Sequence, residues 1–188
     1  RRELLDEAFA GDIIGIPNHG VLQLGDTLSE GENLQFTGLP FFAPEIIRSV
    51  EVADPLRTKQ LRAGLTQLGE EGAIQVFRPH MAGGMMLLGA VGQLQFEVVA
   101  HRLKTEYGVE ARLSSSRFNM ARWVTAKDPK DMKKFIETNA GNIAYDVVEA
   151  IAFLATSPAQ LRVAQELNPG IEFHALREHG GHVFGDAV

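Results

Sequence analysis

The spacing of apolar residues between positions 48 and 116 constrains the fold more than any other feature of this sequence. Apolar residues alternate over 48–53, recur at helical spacing after Pro55, form two further short runs, recur at helical spacing after Gln93 and alternate again over 109–113. This order predicts a strand–helix–strand–strand–helix–strand unit. Because crossover connections are right-handed, both helices are expected on one side of a four-stranded sheet, which is the ferredoxin-like arrangement.

A second, similar unit is predicted for residues 117–178. Asp54-Pro55 is a strong helix start, since Asp caps the first turn and Pro lacks only an N–H that the helix does not use. Asp128-Pro129 repeats this signature, and the order of alternating and helical segments repeats around it. Residue identity beyond Asp-Pro is not shared, so we interpret the similarity as one of topology rather than as a demonstrated sequence repeat.

Residues 1–47 have a different character, with short apolar runs such as 12–16 and 34–36 separated by turn residues. This pattern predicts the C-terminal portion of a β-barrel. Three or four strands do not close a barrel, so we expect further strands upstream and interpret the chain, which begins at Arg1 without Met, as a piece of a longer protein.

The predicted fold class is therefore α+β: part of a β-barrel, then a ferredoxin-like βαββαβ domain with a similar second half. The proline-bracketed connector 39–44 marks the domain boundary. The predicted domains are the barrel portion at 1–47, a C-terminal domain at 48–178 with halves 48–116 and 117–178, and a flexible tail at 179–188. Loss of order is expected to begin near Arg177, because glycines follow it.

Composition excludes several kinds of chemistry. The absence of cysteine removes disulfides, thiol catalysis and Cys-ligated zinc, and it suits a reducing cytoplasm. No apolar run approaches the ~18 residues of a membrane span, so no membrane partner is expected. The formal net charge of −6 argues against nucleic-acid binding over the whole surface, so any RNA contact is expected to be a local patch.

The sequence lacks the motifs of nucleotide binding. It contains no Gly-Lys dipeptide and therefore no phosphate-binding P-loop, and no Asn-Lys dipeptide that could belong to a guanine-reading motif. Gly89-Ala90-Val91-Gly92 has the wrong spacing for a dinucleotide fingerprint, so close packing explains it better. His174, His179 and His182 are conceivable metal ligands, but a solvated glycine-rich tail is the favoured interpretation. No catalytic, cofactor or metal residue is predicted.

Basic residues form the candidate contact sites. One group lies on the first predicted helix and a second lies at the junction of the two units, where convergence of its three arginines is expected; a lysine-rich third helix ranks below both, because arginine suits bidentate phosphate contacts better. The alternative is that these are ordinary solvated faces. The two groups are Arg57, Lys59 and Arg62, then Arg112, Arg117 and Arg122.

Several longer runs resemble a known family. They include Gly11-Asp12-Ile13-Ile14-Gly15, Phe36-Thr37-Gly38-Leu39-Pro40, Gln75-Val76-Phe77-Arg78-Pro79 and the run from Gly89 to Arg102. Taken in order, they resemble the C-terminal region of the bacterial peptide chain release factor 3 family of translational GTPases. Elongation factor G is a looser match, because it has Gly-Glu-Leu-His where this chain has Gly92-Gln93-Leu94-Gln95.

The resemblance implies a non-catalytic C-terminal region of a cytoplasmic GTPase that promotes release and recycling of class I release factors from the ribosome in translation termination. It implies that GTP or GDP binds a G domain outside this sequence. The implied partners are that G domain, the RNA and protein of the small ribosomal subunit and, functionally, the class I release factors. The nucleotide state would change how the factor competes with the class I factor, which requires different contacts in the two states.

Two other function classes stay open. An enzyme of the acylphosphatase kind needs an anion-binding turn with a placed Arg and Asn, and none is evident after the first strand. A ferredoxin-like regulatory module would bind a small-molecule effector, with two such units paired around it.

Overall fold

The computed structural model describes residues 4, 6–17, 21–22, 26–32, 34, 40–81, 83–178 and 184–185. The protein is mixed α+β, with antiparallel strands and, within the described residues, four α-helices. A short strand, β1 (Pro40–Phe42), comes before two successive units of the same topology. Over the part of the chain that the structure describes, no helix is long and apolar enough to cross a membrane.

The first unit follows the predicted order of elements. Its first strand begins two residues before the predicted position 48, and its first helix is preceded by a 3₁₀ turn over Pro55–Arg57. The elements of this unit are β2 (Ile46–Val52), α1 (Thr58–Glu70), β3 (Gln75–Pro79), β4 (Met86–Ala90), α2 (Gln93–Tyr107) and β5 (Ala111–Ser115).

The second unit repeats this order with shorter helices. Its elements are β6 (Met120–Ala126), α3 (Pro129–Thr138), β7 (Ile143–Tyr145), β8 (Ile151–Ala155), α4 (Pro158–Leu167) and β9 (Ile171–His174). Two further strands follow, β10 (Leu176–Glu178) and β11 (Phe184–Gly185), which pair with β1 in the order β1-β10-β11.

The two units form one eight-stranded sheet with the order β5-β2-β4-β3-β7-β8-β6-β9. If the strands are numbered 1 to 4 within each unit, this order is 4-1-3-2 in the first unit and 2-3-1-4 in the second. The ferredoxin-like order is 4-1-3-2, and the second unit has the same order read in the reverse direction. The predicted pair of βαββαβ units is therefore confirmed. The units join where β3 and β7 pair antiparallel, through Arg78 opposite Tyr145 and Pro79 opposite Ala144. The N–H of His80 extends this seam by donating to the Ile143 carbonyl at 2.8 Å.

The sheet is strongly curled, because β5 and β6 lie six strand spacings apart and are joined only by residues 116–119. In a flat sheet these strands would be ~29 Å apart. The five peptide steps from Ser115 to Met120 span at most ~18 Å. The faces without helices must therefore turn toward each other.

Burial follows from this curl and defines two sides of the sheet. On the helix face, α1 and α2 cover one apolar cluster that includes Leu65 and Phe96, and α3 and α4 cover another that includes Phe135. The opposite, inner face holds a single cluster to which both units contribute, with Phe77 from the first and Trp123 from the second.

Matching caps start the helices of the two units. Asp54 Oδ1 accepts from the N–H of Leu56 at 3.0 Å, and Asp128 Oδ1 accepts from the N–H of Lys130 at 2.8 Å. The Asp-Pro signature thus marks the start of the first helical segment in each unit: the 3₁₀ turn that leads into α1, and α3 itself. The second helices share another cap: Gln95 and Gln160 each lie three residues after the N-cap and accept backbone N–H groups of the preceding turn.

The chain near Arg177 differs from the sequence-based expectation. Loss of order was expected to begin there, and that prediction is wrong for Arg177 and Glu178, which belong to β10; Arg177 is only 7% exposed. The strand forms because β1, within the predicted connector, supplies a pairing partner that local sequence does not reveal. Of the predicted tail 179–188, the described residues Phe184 and Gly185 form β11.

The barrel portion at 1–47 and the domain boundaries remain predictions. Among the described residues before Pro40 no strand is assigned, and Ile13, in the predicted strand at 12–16, is fully exposed. Residues 18–20, among the turn residues between the two predicted strands, and residues 35–36 of the predicted strand at 34–36 lie outside the described residues.

Candidate nucleic-acid interface

The first predicted basic group lies on and before α1, and all three side chains are exposed. Its members diverge. A Cβ added at Gly108, which ends α2, would lie 3.2 Å from Arg57 Nη1, so this guanidinium reaches the C-terminal end of α2. A Cβ at Gly84 would lie 2.7 Å from Arg62 Nη2, so Arg62 reaches the β3–β4 hairpin instead.

The second predicted group is spread over different surfaces. Arg112 lies opposite Glu51 on the outer strand β5. Arg117 stacks on Phe118 at 4.6 Å and donates to the Gly141 carbonyl at 2.8 Å. Arg122 is half-buried and alternates with Ala121 and Trp123, so it points away from the inner face.

Strand alternation separates the members of this second group further. Arg112 alternates with Leu113, which packs against the helix-face cluster, so Arg112 lies on the other side of its strand from the helices. Arg122 lies on the helix side of β6. The structure therefore does not gather Arg112 and Arg122 on one face, and contact of either basic group with a ribosome stays a prediction.

The seam between the units brings together two arginines that no single predicted basic group contained. Arg62 of α1 and Arg78 of β3 line the same cleft, of about 230 Å³, together with Thr66, Tyr145 and Glu149. Among the described residues, Arg62 has neither a hydrogen bond nor an ion pair. This cleft, the seam cleft, opens on the helix face, because Arg78 alternates with the inner-face residue Phe77.

Arg78 already has partners in the seam cleft. Its Nη2 lies 2.7 Å and 2.6 Å from the two carboxylate oxygens of Glu149, and its guanidinium lies 5.3 Å from the centre of the Tyr145 ring. The Tyr145 hydroxyl is 3.2 Å from His80 Nδ1. Arg78 and Glu149 are both largely exposed, at 53% and 68% of their side-chain surface, so the ion pair is accessible to a competing ligand.

Glu149 occupies an unusual backbone position. Its φ of +62° lies in the left-handed region that favours Gly or Asn. The loop is held by Asp146, whose Oδ1 accepts from the N–H groups of Val148 and Ala150 at 3.0 and 2.9 Å. The turn therefore fixes the Glu149 carboxylate next to Arg78 at some cost in backbone strain.

Asp146 also forms the only buried ion pair of the described residues. Its Oδ2 accepts from Trp123 Nε1 at 3.0 Å and lies 3.2 Å from Arg177 Nε, although that Nε has no aligned hydrogen bond. Arg177 lies between the rings of Phe41 and Trp123, at 5.1 and 5.5 Å. Burial lowers the pKa of the Arg177 guanidinium, and the Asp146 carboxylate opposes that shift. These contacts attach β1 and β10 to the second unit.

The glycine-containing turn before α2 has a packing explanation. A Cβ at Gly89 would lie 2.7 Å from Pro44 and 2.9 Å from Phe77, so a side chain there would collide with the buried end of the connector and with the inner face. The N–H groups of Val91 and Gly92 donate to Gln95 Oε1, at 2.8 and 3.3 Å. These two turn donors therefore already have an internal acceptor.

Of the three predicted tail histidines, His174 is described and lies in β9, with its Nε2 2.7 Å from Thr125 Oγ1. Among the described residues no group of three His, Asp or Glu side chains could hold a metal ion. His179 and His182 lie outside those residues.

The family model described as "Class II release factor RF3, C-terminal domain" matches residues 36–165. The chain belongs to this family. The match runs through β1, the whole first unit and most of the second, including both sides of the seam cleft.

Comparison with individual proteins also places the chain in the RF3 family. "Peptide chain release factor 3" of Bordetella pertussis is 76% identical over 186 residues, which cover 99% of this chain. The protein of the same name from Nitrosomonas eutropha is 67% identical over 187 residues, or 100% of the chain. The chain spans about 35% of the length of each of these curated relatives.

Proposed function

We propose that the chain is the non-catalytic C-terminal region of a GTPase that acts in translation termination and promotes release and recycling of class I release factors from the ribosome. The observation that carries this proposal is the family match over residues 36–165, together with 76% identity over 99% of the chain to a protein named peptide chain release factor 3. The missing Gly-Lys and Asn-Lys dipeptides favour a role without nucleotide binding, with GTP or GDP held by a G domain elsewhere in the parent protein.

The proposed role of the region is mechanical. It would brace the G domain and contact the small ribosomal subunit in the cytoplasm. Two units fused into one sheet, with both faces carrying apolar clusters, form a rigid body suited to that role. The basic groups Arg57, Lys59 and Arg62, and Arg112, Arg117 and Arg122, are proposed contacts with ribosomal RNA.

Co-sedimentation with purified small ribosomal subunits tests this proposal. The chain should pellet with the subunits at low salt and be released at high salt, because local arginine–phosphate contacts are screened. Added in excess, it should also slow the displacement of a class I release factor by the full-length factor, by competing for the same surface. A chain that stays in the supernatant at every salt concentration would refute the ribosome-binding role.

A parallel titration with fluorescent GTP and GDP should show no micromolar binding. The alternative of a small-molecule regulatory module predicts ligand binding in a thermal-shift screen with phosphates and amino acids. A ligand-dependent rise of the unfolding midpoint would favour that alternative.

A further inference from the structure

We infer that the seam cleft is a binding site for one backbone phosphate of RNA, held between Arg62 and Arg78, with Glu149 as the internal carboxylate that occupies Arg78 until RNA displaces it. This inference rests on the proposed function, since it names the ligand class and the surface of the ribosome contact. It adds to the predicted basic groups a residue, Arg78, that none of them contains.

The charges in the cleft support a single phosphate. Two guanidinium groups, those of Arg62 and Arg78, line the cleft, and only one carboxylate, that of Glu149, is paired with them. The nearby Asp146 is buried, and its carboxylate already accepts a hydrogen bond from Trp123, pairs with Arg177 and accepts N–H groups of its own turn. One positive charge therefore remains uncompensated among these groups, and a phosphodiester supplies one negative charge.

The geometry favours a phosphate over the carboxylate of a protein partner. Arg78 already contacts both carboxylate oxygens of Glu149. A carboxylate from a protein partner would therefore replace this contact with an equivalent one and gain nothing. A tetrahedral phosphate offers oxygens in different directions and can accept from two guanidinium groups that arrive from a helix and from a strand. The volume of about 230 Å³ is small compared with pockets for drug-sized ligands and suits a phosphate group.

Aromatic rings next to the arginines suit a nucleotide. The rings of Tyr145 and His80 lie 5.9 Å apart and are tilted by 53°, and His80 is exposed. An aromatic or guanidinium plane at the edge of a phosphate site is a typical surface for stacking an unpaired base. Tyr145, which lines the cleft, and the exposed His80 beside it therefore place aromatic rings next to the proposed phosphate position.

The strained Glu149 gives the site a distinctive property. A Gly or Asn would occupy this left-handed position at lower cost, yet the chain has a glutamate whose carboxylate reaches Arg78. A carboxylate in this place competes with an incoming phosphate. Removing the Glu149 charge should therefore strengthen RNA binding, whereas removing the charge of Arg62 or Arg78 should weaken it.

The test uses the 188-residue chain and a fluorescein-labelled 20-nucleotide RNA hairpin, with fluorescence anisotropy measured across a salt series. Arg62→Gln and Arg78→Gln should each weaken binding about tenfold, the equivalent of one charge-assisted contact, and lower the salt slope by about 1. Glu149→Gln should tighten binding several-fold. Arg162→Gln, which makes the same change at an exposed position of α4 outside the cleft and outside the proposed contact groups, is the matched control and should have a much smaller effect.

The same four variants are then measured by co-sedimentation with small ribosomal subunits, after circular dichroism has confirmed that each is folded. Equal RNA affinities for Arg62→Gln, Arg78→Gln and Arg162→Gln would overturn the inference, as would weaker binding by Glu149→Gln. Loss of ribosome binding without loss of hairpin binding would assign the cleft to a carboxylate of a ribosomal protein and would also overturn it. If the unmodified chain binds the hairpin through these arginines but never pellets with subunits, the proposed function fails while the site stands.

Discussion

The two ferredoxin-like units share one topology but differ in how their helices pack. In the first unit α1 and α2 have 13 and 15 residues and pack closely, because Gly64 lets α1 approach Leu103 and Tyr107 of α2. In the second unit α3 and α4 have 10 residues each, and a groove of about 570 Å³ lies between them. The same order of strands therefore supports one closed and one open helix layer.

The hairpins of the two units also differ, but here the second unit has the more tightly held structure. The β7–β8 turn of the second unit is fixed by the buried Asp146, whereas the β3–β4 connection at 80–85 contains no carboxylate. The alternation of apolar residues sets the topology, and a few individual side chains decide which part of each unit is tight. The predictions below test this division.

Asp146→Ala should have the largest effect, a loss of about 3–5 kcal/mol in the free energy of unfolding, because it leaves Arg177 buried without its counter-charge and Trp123 Nε1 without its acceptor. Urea unfolding measures the loss. Glu149→Gln, in the same turn but exposed, is the control and should change stability far less. A similar small loss for both variants would show that the second hairpin does not depend on its buried carboxylate.

Two leucine substitutions compare the helix layers directly. Leu103→Ala removes a fully buried side chain of α2 and should cost about 2–5 kcal/mol. Leu167→Ala in α4, where the side chain is 75% exposed, should change stability by no more than about 0.5 kcal/mol. Chemical denaturation of both variants provides the measurement. Equal costs would mean that the helix layer of the second unit is closed as well.

Gly64→Ala should cost a smaller amount. The new Cβ would lie 2.9 Å from Leu103 Cδ2 and 3.0 Å from Tyr107 Cγ. Overpacking of this kind, partly offset by the better helix propensity of Ala, leaves a net loss of about 1 kcal/mol. Gly141→Ala in the second unit is the matched control, since the nearest atom would be 3.8 Å away. A more stable Gly64→Ala protein would contradict the close approach of α1 and α2.

The smallest effect concerns pH. Arg102 of α2 contacts Glu106 at 2.6 Å and Glu71 beyond the end of α1 at 2.7 Å, and its hydrogen bond holds the pKa of Glu106 below the usual value. A depressed folded-state pKa stabilises the fold above the unfolded value of about 4.3, and this contribution is lost as the pH falls through the lower folded-state value.

Arg102→Gln should therefore lower the unfolding midpoint slightly at pH 7 but not in acid below the lowered Glu106 pKa. Thermal unfolding followed from pH 7 downward measures the difference. Lys104→Gln, whose partner Glu110 is 4.0 Å away and exposed, should show no such pH-dependent difference. A gap between Arg102→Gln and the unmodified chain that persisted at low pH would assign the effect to packing instead.

Local patterns predicted the two units well, because helix caps and strand alternation depend on near neighbours. Asp54-Pro55 marks the 3₁₀ turn that leads into α1, and Asp128-Pro129 marks the start of α3. The contacts that bring the seam cleft together, which the sequence did not reveal, are between distant residues. Arg78 faces Tyr145, 67 positions later, only because β3 and β7 pair, and no local signal distinguishes Arg78 from any other exposed strand arginine.

Arg177 is another residue whose contacts could not be predicted from the local sequence. Next to a glycine-containing segment it has the local character of a tail residue, yet β1 and the rings of Phe41 and Trp123 enclose it. The predicted basic groups were chosen by nearness in sequence, whereas the cleft that unites Arg62 with Arg78 is created by the seam. Periodicity predicts elements, but it does not predict which edges of two neighbouring units meet.

The seam has a consequence for self-association. Its two strands, β3 and β7, are equivalent edges of the two units, and they pair antiparallel through two register pairs. An isolated unit would leave that edge open to a second copy of itself, and the same pairing would generate a two-fold symmetric dimer. Two separate molecules would need an extensive interface to hold so short a junction. Within one chain the partner is present at high effective concentration, so a short junction suffices and each edge is protected from other proteins.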